Sequence, residues 1–255
     1  GADMGAERFF NIKCRQANLV PDCAVLVATV RALKMHAGVK REALSTENIS
    51  ALKEGCANLA RHVENIRKFG VPVLVAINRF SSDTNSEFDA ISQFCAEIDV
   101  DVIVCDHWAV GSAGSTNLAE AVVALIDNNA SKFQLLYPDD MELWDKVRTV
   151  AQQIYGARGI IADKRVRKRF TELQGSGYGH FPVCIAKTQY SFSTDPNLKG
   201  APSNHVVPIR EVRLAAGAGY VIVICGDIMT MPGLPSEPAA EKIGLDNSSK
   251  IVGLF

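Results

Sequence analysis

Three apolar runs in the first half of the chain predict buried strands. They cover residues 23–30, 71–77 and 100–105, and the first two are apolar at successive positions rather than only at alternate ones. Strands that are apolar on both faces are typical of parallel sheets covered by helices. Between the first two runs, a long amphipathic helix is predicted over residues 46–69 because apolar side chains recur every three or four residues, at Leu52, Cys56, Leu59, Val63 and Ile66.

Further helices are predicted between and around these strands. The patterns cover residues 5–18, 84–98 and 116–128. Thr84 is expected to begin the second of these helices, because Thr84 and Glu87 have the spacing of a capping box. Regular alternation of strands and helices predicts βαβ units with right-handed crossovers. The predicted fold class is therefore α/β with a mostly parallel sheet.

The pattern changes after Ser131. A break at residues 137–139 is followed by a predicted helix that ends near Gly156, by a second helix over 163–173, and by strand patterns near 181–187, 206–213 and 220–225. We therefore predict two units, residues 1–133 and a smaller α/β domain over residues 134–255. A single sheet that continues across the boundary is the alternative.

Composition excludes several classes of protein. A formal net charge of −1 provides no overall field for attracting nucleic acid or a membrane surface, and no apolar run approaches the roughly 20 residues of a membrane span. The seven cysteines are widely spaced and contain no Cys-x-x-Cys pair, which favours reduced, buried thiols and a cytoplasmic location. No His, Cys and Asp cluster has zinc-ligand spacing, so no metal ligand is predicted. The basic run over 164–169 is interpreted as a solvated helix face, ahead of a polyglutamate or nucleic-acid site.

Candidate chemistry follows the three predicted strands. Arg31, Lys34 and His36 lie in a predicted turn after the first strand, where ligands of open α/β sheets bind. Two basic side chains and an imidazole indicate an anionic substrate, and a solvated basic loop is the alternative. Phe80 and Trp108 follow the second and third strands, where aromatic rings either stack on a flat heterocycle or close the core.

Several sequence blocks resemble those of formate–tetrahydrofolate ligases (10-formyltetrahydrofolate synthetases). The most specific is Val-Ala-Thr-Val-Arg-Ala-Leu-Lys-Met-His-Ala-Gly at residues 27–38, in which Ala37 replaces the usual first glycine of a His-Gly-Gly ending. Ser81 and Ser112 are further departures, from a proline and a glycine. The other blocks occur in the family's order at residues 1–15, 78–84, 107–109, 186–193, 229–235 and 253–255.

The resemblance implies an enzyme of one-carbon metabolism with a P-loop NTPase-like fold. Such a ligase joins formate to tetrahydrofolate through formyl phosphate, giving 10-formyltetrahydrofolate. It uses ATP with Mg²⁺ and a monovalent cation (K⁺ or NH₄⁺), and it forms a homo-oligomer. Nucleic acid and membranes are not expected partners.

The resemblance also implies roles for individual residues. Phe80 and Trp108 would sandwich the pterin of tetrahydrofolate, while Arg31, with Lys34 or His36, would act at anionic groups during catalysis. The 229–235 loop, in which Pro232 and Gly233 form the predicted cofactor-binding pair, would frame the nucleotide.

The first block of this chain lies well inside the family's sequence, so the chain is expected to be the carboxy-terminal portion of a ligase. It contains no Gly-Lys dipeptide, and the family's ATP-binding P-loop would lie upstream. The isolated chain is therefore expected to lack ligase activity. The alternative is a ligase-derived folding or interaction module with no activity of its own.

Overall fold

The computed structural model describes residues 2–128, 130–228, 236–248 and 250–253. The chain begins with helix α1 (Ala2–Arg8), which continues through a π-helix (Phe9–Cys14) into α2 (Arg15–Ala17). This confirms the predicted amino-terminal helix. Its π-helical turn was not predicted.

A three-stranded parallel sheet, here called sheet A, follows. Its elements are β1 (Ala24–Ala28), α3 (Val30–His36), a 3-10 helix (Arg41–Ala43), α4 (Ile49–Arg67), β2 (Val73–Asn78), α5 (Asn85–Glu97) and β3 (Val102–Cys105). The strand order is β1-β2-β3, with Ala28 opposite Ile77 and Asn78 opposite Cys105. The connecting helices begin at capped residues: Asn48 caps α4, and Thr84 and Glu87 form the predicted capping box of α5.

Residues 30–36 form a helix, so the prediction of a strand to residue 30 followed by a turn is wrong. The Thr29 hydroxyl accepts a hydrogen bond from the Ala32 amide at 3.1 Å, which ends the strand and caps α3. Helix α3 crosses α4 closely, because a Cβ on Gly55 would lie 1.9 Å from the Leu33 carbonyl oxygen. Because residues 30–36 are helical, the side chains of Arg31, Lys34 and His36 contact different parts of the structure.

The segment after β3 contains α6 (His107–Val110), a 3-10 helix (Gly111–Ser115) and α7 (Thr116–Asp127), which packs against β3. By length and composition alone, the helical stretch His107–Asp127 could cross a membrane, contrary to the sequence expectation. Gly111 interrupts it, since a φ of 70° departs from helical geometry. Core helices of soluble proteins and signal sequences can have the same length and composition.

A second sheet, here called sheet B, follows with its helices. The elements are α8 (Leu143–Gln153), β4 (Gly159–Ala162), α9 (Lys164–Leu173), a π-helix (Gln174–Tyr178), β5 (Val183–Ala186), β6 (Val206–Ala215), a 3-10 helix (Ala216–Ala218) and β7 (Tyr220–Cys225). The strand order is β4-β6-β7-β5, and the sheet is mixed because β6 and β7 pair antiparallel. A short hairpin of β8 (Gly244–Leu245) and β9 (Ile251–Val252) comes after a 3-10 helix (Ala239–Lys242).

The α/β fold class is confirmed, with a parallel sheet and a mixed one. In the described residues the two sheets are separate, so the alternative of one continuous sheet is wrong. A single hydrophobic core nevertheless includes side chains from both, and the division at residues 133 and 134 stays a prediction. All seven cysteines are free thiols, and five of them are buried, at positions 14, 56, 95, 105 and 225.

Candidate functional site

The carboxyl ends of the strands of sheet A bring three candidate segments together. Because the strands are parallel and in register, the residues after Ala28, Asn78 and Cys105 emerge at one edge. The Arg79 amide donates to the Cys105 carbonyl at 3.0 Å, which ties the second segment to the third. This edge therefore carries Arg31, Phe80 and Trp108.

Arg31 lies directly against Phe80. Its guanidinium carbon is 4.7 Å from the centroid of the Phe80 ring, and its Nη2 donates to Ser82 Oγ at 3.3 Å. The Phe80 amide in turn donates to the Asp83 carboxylate at 2.9 Å, so this loop has a defined conformation. Burial raises the pKa of Asp83. The structure thus places Arg31 against Phe80, two residues that were predicted from the sequence as separate candidates.

Trp108 follows β3 on the short helix α6. Its side chain is 74% exposed, more than any other large apolar side chain in the described part of the chain. An aromatic ring that closes the core would be buried, so the alternative interpretation of Trp108 is wrong. Phe80, by contrast, is half-buried. The two rings follow neighbouring strands, and one of them is freely available for stacking.

The Lys34 side chain points into the protein. It is 1% exposed, and its ammonium group donates to the carbonyl oxygens of Leu44 at 3.1 Å and Thr46 at 2.9 Å and forms an ion pair with buried Glu87. All three of its donors are therefore occupied within the fold. Its catalytic assignment stays a prediction, beside a structural role that the contacts now supply.

His36 lines a cavity of about 170 Å³ that is formed by α1, β1, α3, α4 and residues 189–192. Asp3 and His62 also line this cavity, and neither was a sequence candidate. Burial, reinforced by the positive charge of Lys199, lowers the pKa of His36, and burial lowers that of His62 to about 4. Both imidazoles are therefore neutral near pH 7. Asp3 is buried on α1 and forms an ion pair with Lys187 at 2.8 Å, and its place in the first family-like block, residues 1–15, is the sequence signal that could have drawn attention to it.

The structure does not gather the three predicted catalytic residues at one point. Arg31 faces Phe80, Lys34 faces the core, and His36 faces the cavity. Pro232 and Gly233, the predicted cofactor-binding pair, lie outside the described residues. No group of three or more His, Cys, Asp or Glu side chains within the described ranges could hold a metal ion, so we assign no residue to Mg²⁺ or to a monovalent cation.

The basic run over 164–169 behaves as a helix face. Lys168 and Arg169 both pair with Glu172, at 3.8 and 3.3 Å, and Arg167 lies over the Trp144 ring at 4.3 Å. Part of the charge is thereby neutralised locally. These contacts support the interpretation as a solvated surface.

Comparison with known proteins agrees with the sequence blocks. The model of the family described as formate–tetrahydrofolate ligase matches residues 1–255. The chain belongs to this family. Two relatives, each named formate–tetrahydrofolate ligase, come from Granulibacter bethesdensis, at 59% identity, and Sinorhizobium fredii, at 60%. Each match covers the whole of this chain but only 45% and 46% of the relative.

The resemblance on which the family prediction rested is thereby confirmed, and this is a family of enzymes. The chain spans about half the length of the curated relatives it matches. The described residues present one end of sheet A that carries both aromatic and basic side chains, Phe80, Trp108 and Arg31.

Proposed function

We propose that this chain supplies the folate-binding side of a formate–tetrahydrofolate ligase. The observation that carries the proposal is the joint position of Phe80 and Trp108 at the carboxyl ends of adjacent parallel strands, with Arg31 stacked on Phe80. A pterin is flat and aromatic, and stacking on side-chain rings is the general way to hold such a ring. The glutamate of tetrahydrofolate carries carboxylates that suit a guanidinium group.

The proposed reaction proceeds in two steps. ATP phosphorylates formate, which gives formyl phosphate, a mixed anhydride with a good leaving group. N10 of tetrahydrofolate then attacks the formyl carbon, so a C–N bond forms while the C–O bond to phosphate breaks, and N10 loses a proton. Arg31 would neutralise an anionic group at this edge, and the neutral imidazole of His36 is able to accept a proton. When bound, Mg²⁺ would screen the phosphate charges of ATP.

Binding of tetrahydrofolate to the purified chain tests the proposal. We expect Trp108→Ala and Phe80→Ala each to weaken binding about tenfold, since losing a stacked ring costs on the order of 1–3 kcal/mol. Trp108→Phe should retain most of the affinity. Phe9→Ala is the matched control, because Phe9 is an exposed ring (46%) on the amino-terminal helix and away from the sheet A edge. Equal affinity in all four variants would rule out the pocket.

The second candidate is a module without activity of its own. It is favoured by the absence of a Gly-Lys dipeptide and by the coverage of less than half of the relatives. An assay of ATP- and formate-dependent product formation distinguishes the two candidates: the module predicts no turnover by the isolated chain and no gain on adding the remaining part of a ligase. A cytoplasmic location stays part of the proposal, supported by the free thiols. A homo-oligomer also stays part of it, and it rests on the family resemblance alone.

A further inference from the structure

The backbone of Phe80 is held by a tight turn that ends at Asp83. The hydrogen-bond ladder of sheet A reaches Arg79, whose amide donates to the Cys105 carbonyl at 3.0 Å. At the next residue, both backbone polar groups are bound by Asp83. The Phe80 amide donates to the Asp83 carboxylate at 2.9 Å, and the Phe80 carbonyl accepts from the Asp83 amide at 3.0 Å, as in a β-turn. These two bonds fix the backbone of Phe80, and with it the direction in which the ring leaves the chain.

Hydrogen bonds, rather than a proline ring, give this turn its conformation. Position 81 is a serine, so its φ is not fixed by a ring, although proline is favoured at this second position of a β-turn. Ser81 is exposed and Ser82 is half-buried, so packing in the core does not hold them. The orientation of Phe80 therefore depends on Asp83 more than on the two residues between them.

Asp83 is a suitable anchor because it is buried and lies next to a helix that is fixed to the core. It is 8% exposed. Burial raises the pKa of its carboxyl, and the hydrogen bond from the Phe80 amide opposes that effect. Helix α5 begins two residues later at the capping box of Thr84 and Glu87, and buried Lys34 forms an ion pair with Glu87. The rigid part of the structure is thus connected to Phe80 through Asp83.

The position of Arg31 depends on the same turn. Its guanidinium carbon lies 4.7 Å from the centroid of the Phe80 ring, and its Nη2 donates to Ser82 Oγ at 3.3 Å. A change in the conformation of the turn would move both of these partners. Asp83 therefore influences the position of a ring and of a cation at the candidate site.

We propose that Asp83 is a positioning residue for tetrahydrofolate, which acts by holding Phe80 in the orientation in which its ring stacks on the pterin. The proposal rests on the proposed folate-binding function and adds a residue that was not a sequence candidate. Because Asp83 is buried, it affects the ligand through Phe80. Its removal should therefore cost no more affinity than removal of the Phe80 ring.

Amide exchange without any ligand tests the first part of the proposal. We expect the Phe80 amide to exchange at least about tenfold faster in Asp83→Ala than in the wild type, because the acceptor of its hydrogen bond is lost. Asp83→Asn should keep the slow exchange, since its side-chain oxygen can accept the same bond. Asp89→Ala is the matched control, because Asp89 is an exposed carboxylate on α5. Melting temperatures establish that the variants are folded.

Calorimetric titration with tetrahydrofolate tests the second part. Asp83→Ala should weaken binding about fivefold, whereas Asp83→Asn and Asp89→Ala should bind like the wild type. The double variant Asp83→Ala/Phe80→Ala should bind no more weakly than Phe80→Ala, because the ring through which Asp83 acts is already absent. In Asp83→Ala/Trp108→Ala the two losses should multiply, to about fiftyfold. Adding Ser81→Pro to Asp83→Ala should restore part of the affinity, since proline favours the turn.

Three results would overturn the proposal. They are equal exchange of the Phe80 amide in the wild type and Asp83→Ala, binding by Asp83→Asn that is as weak as by Asp83→Ala, and multiplication of the losses caused by Asp83→Ala and Phe80→Ala. A failure of the proposed function is recognised separately, because Phe80→Ala and Trp108→Ala would then bind tetrahydrofolate like the wild type. The positioning role toward the pterin would be wrong as well, while amide exchange would still report whether Asp83 holds Phe80.

Discussion

Replacing Lys34 with methionine separates a structural role from a catalytic one. Methionine fills a similar volume but removes the ammonium group that contacts Glu87 and two backbone carbonyl oxygens. If Lys34 stabilises the fold, the Lys34→Met variant loses stability even without substrates. If its role is only catalytic, stability is unchanged.

The magnitude follows from the burial of the pair, since Lys34 is 1% exposed and Glu87 0%. Removing one partner of a buried ion pair costs about 3–5 kcal/mol. Glu87 would keep hydrogen bonds from the backbone amides of Thr84 and Asn48, at 3.1 and 3.3 Å, so we expect the lower end, about 3 kcal/mol. For a chain of this size that corresponds to a melting temperature lower by roughly 6–12 °C.

The pH dependence provides a second readout. Burial by itself would raise the pKa of Glu87, but the hydrogen bond from Lys34, with those from Thr84 and Asn48, keeps it below its ordinary value. A lowered pKa contributes stability above the unfolded-state pKa that is lost as the pH falls. Without Lys34, burial should dominate and raise the pKa, so this contribution reverses sign and the deficit grows from pH 5 to pH 8.

Thermal and denaturant unfolding of four proteins tests these expectations. The set is the wild type, Lys34→Met, the double variant Lys34→Met/Glu87→Gln, and Lys53→Met, which removes an exposed lysine from α4. The double variant should recover much of the loss because no unpaired carboxylate is left buried. A Lys34→Met variant that melts within about 2 °C of the wild type at both pH values would refute the reasoning.

Two further substitutions test the core. Burial raises the pKa of Glu7 to about 7, so wild-type stability should fall as the pH rises from the unfolded-state value toward 7. Glu7→Gln should accordingly be more stable than the wild type at pH 8, by up to about 3 kcal/mol, and urea titrations should show the two converging as the pH falls below the unfolded-state pKa, near pH 4. Gly55→Ala places a methyl group against the Leu33 carbonyl and should cost about 2 kcal/mol or more, whereas Gly5→Ala, which meets nothing within 4 Å, should not destabilise α1. Equal melting temperatures for the two alanine variants would contradict the close crossing.

The local pattern of apolar and polar residues was sufficient to predict most of the helices and strands. The apolar runs that became β2 and β3, the amphipathic face of α4 and the capping box of α5 all depend on side chains within a few residues of one another. The end of β1 was missed because a single threonine side chain, capping α3, competes successfully with a strand-like sequence. Hydrogen bonding by one hydroxyl is invisible to a pattern of apolar positions.

The candidate site was likewise predictable only where local sequence pattern decided it. Sequence alone placed Arg31, Phe80 and Trp108 at strand ends, and parallel pairing brought them to one edge as expected. Only the tertiary structure decided that Lys34 forms an ion pair with Glu87, 53 positions along the chain, and that His36 lines the same cavity as Asp3 and His62. Periodicity specifies which face of an element is apolar, whereas long-range packing selects the polar partner that each buried charge meets.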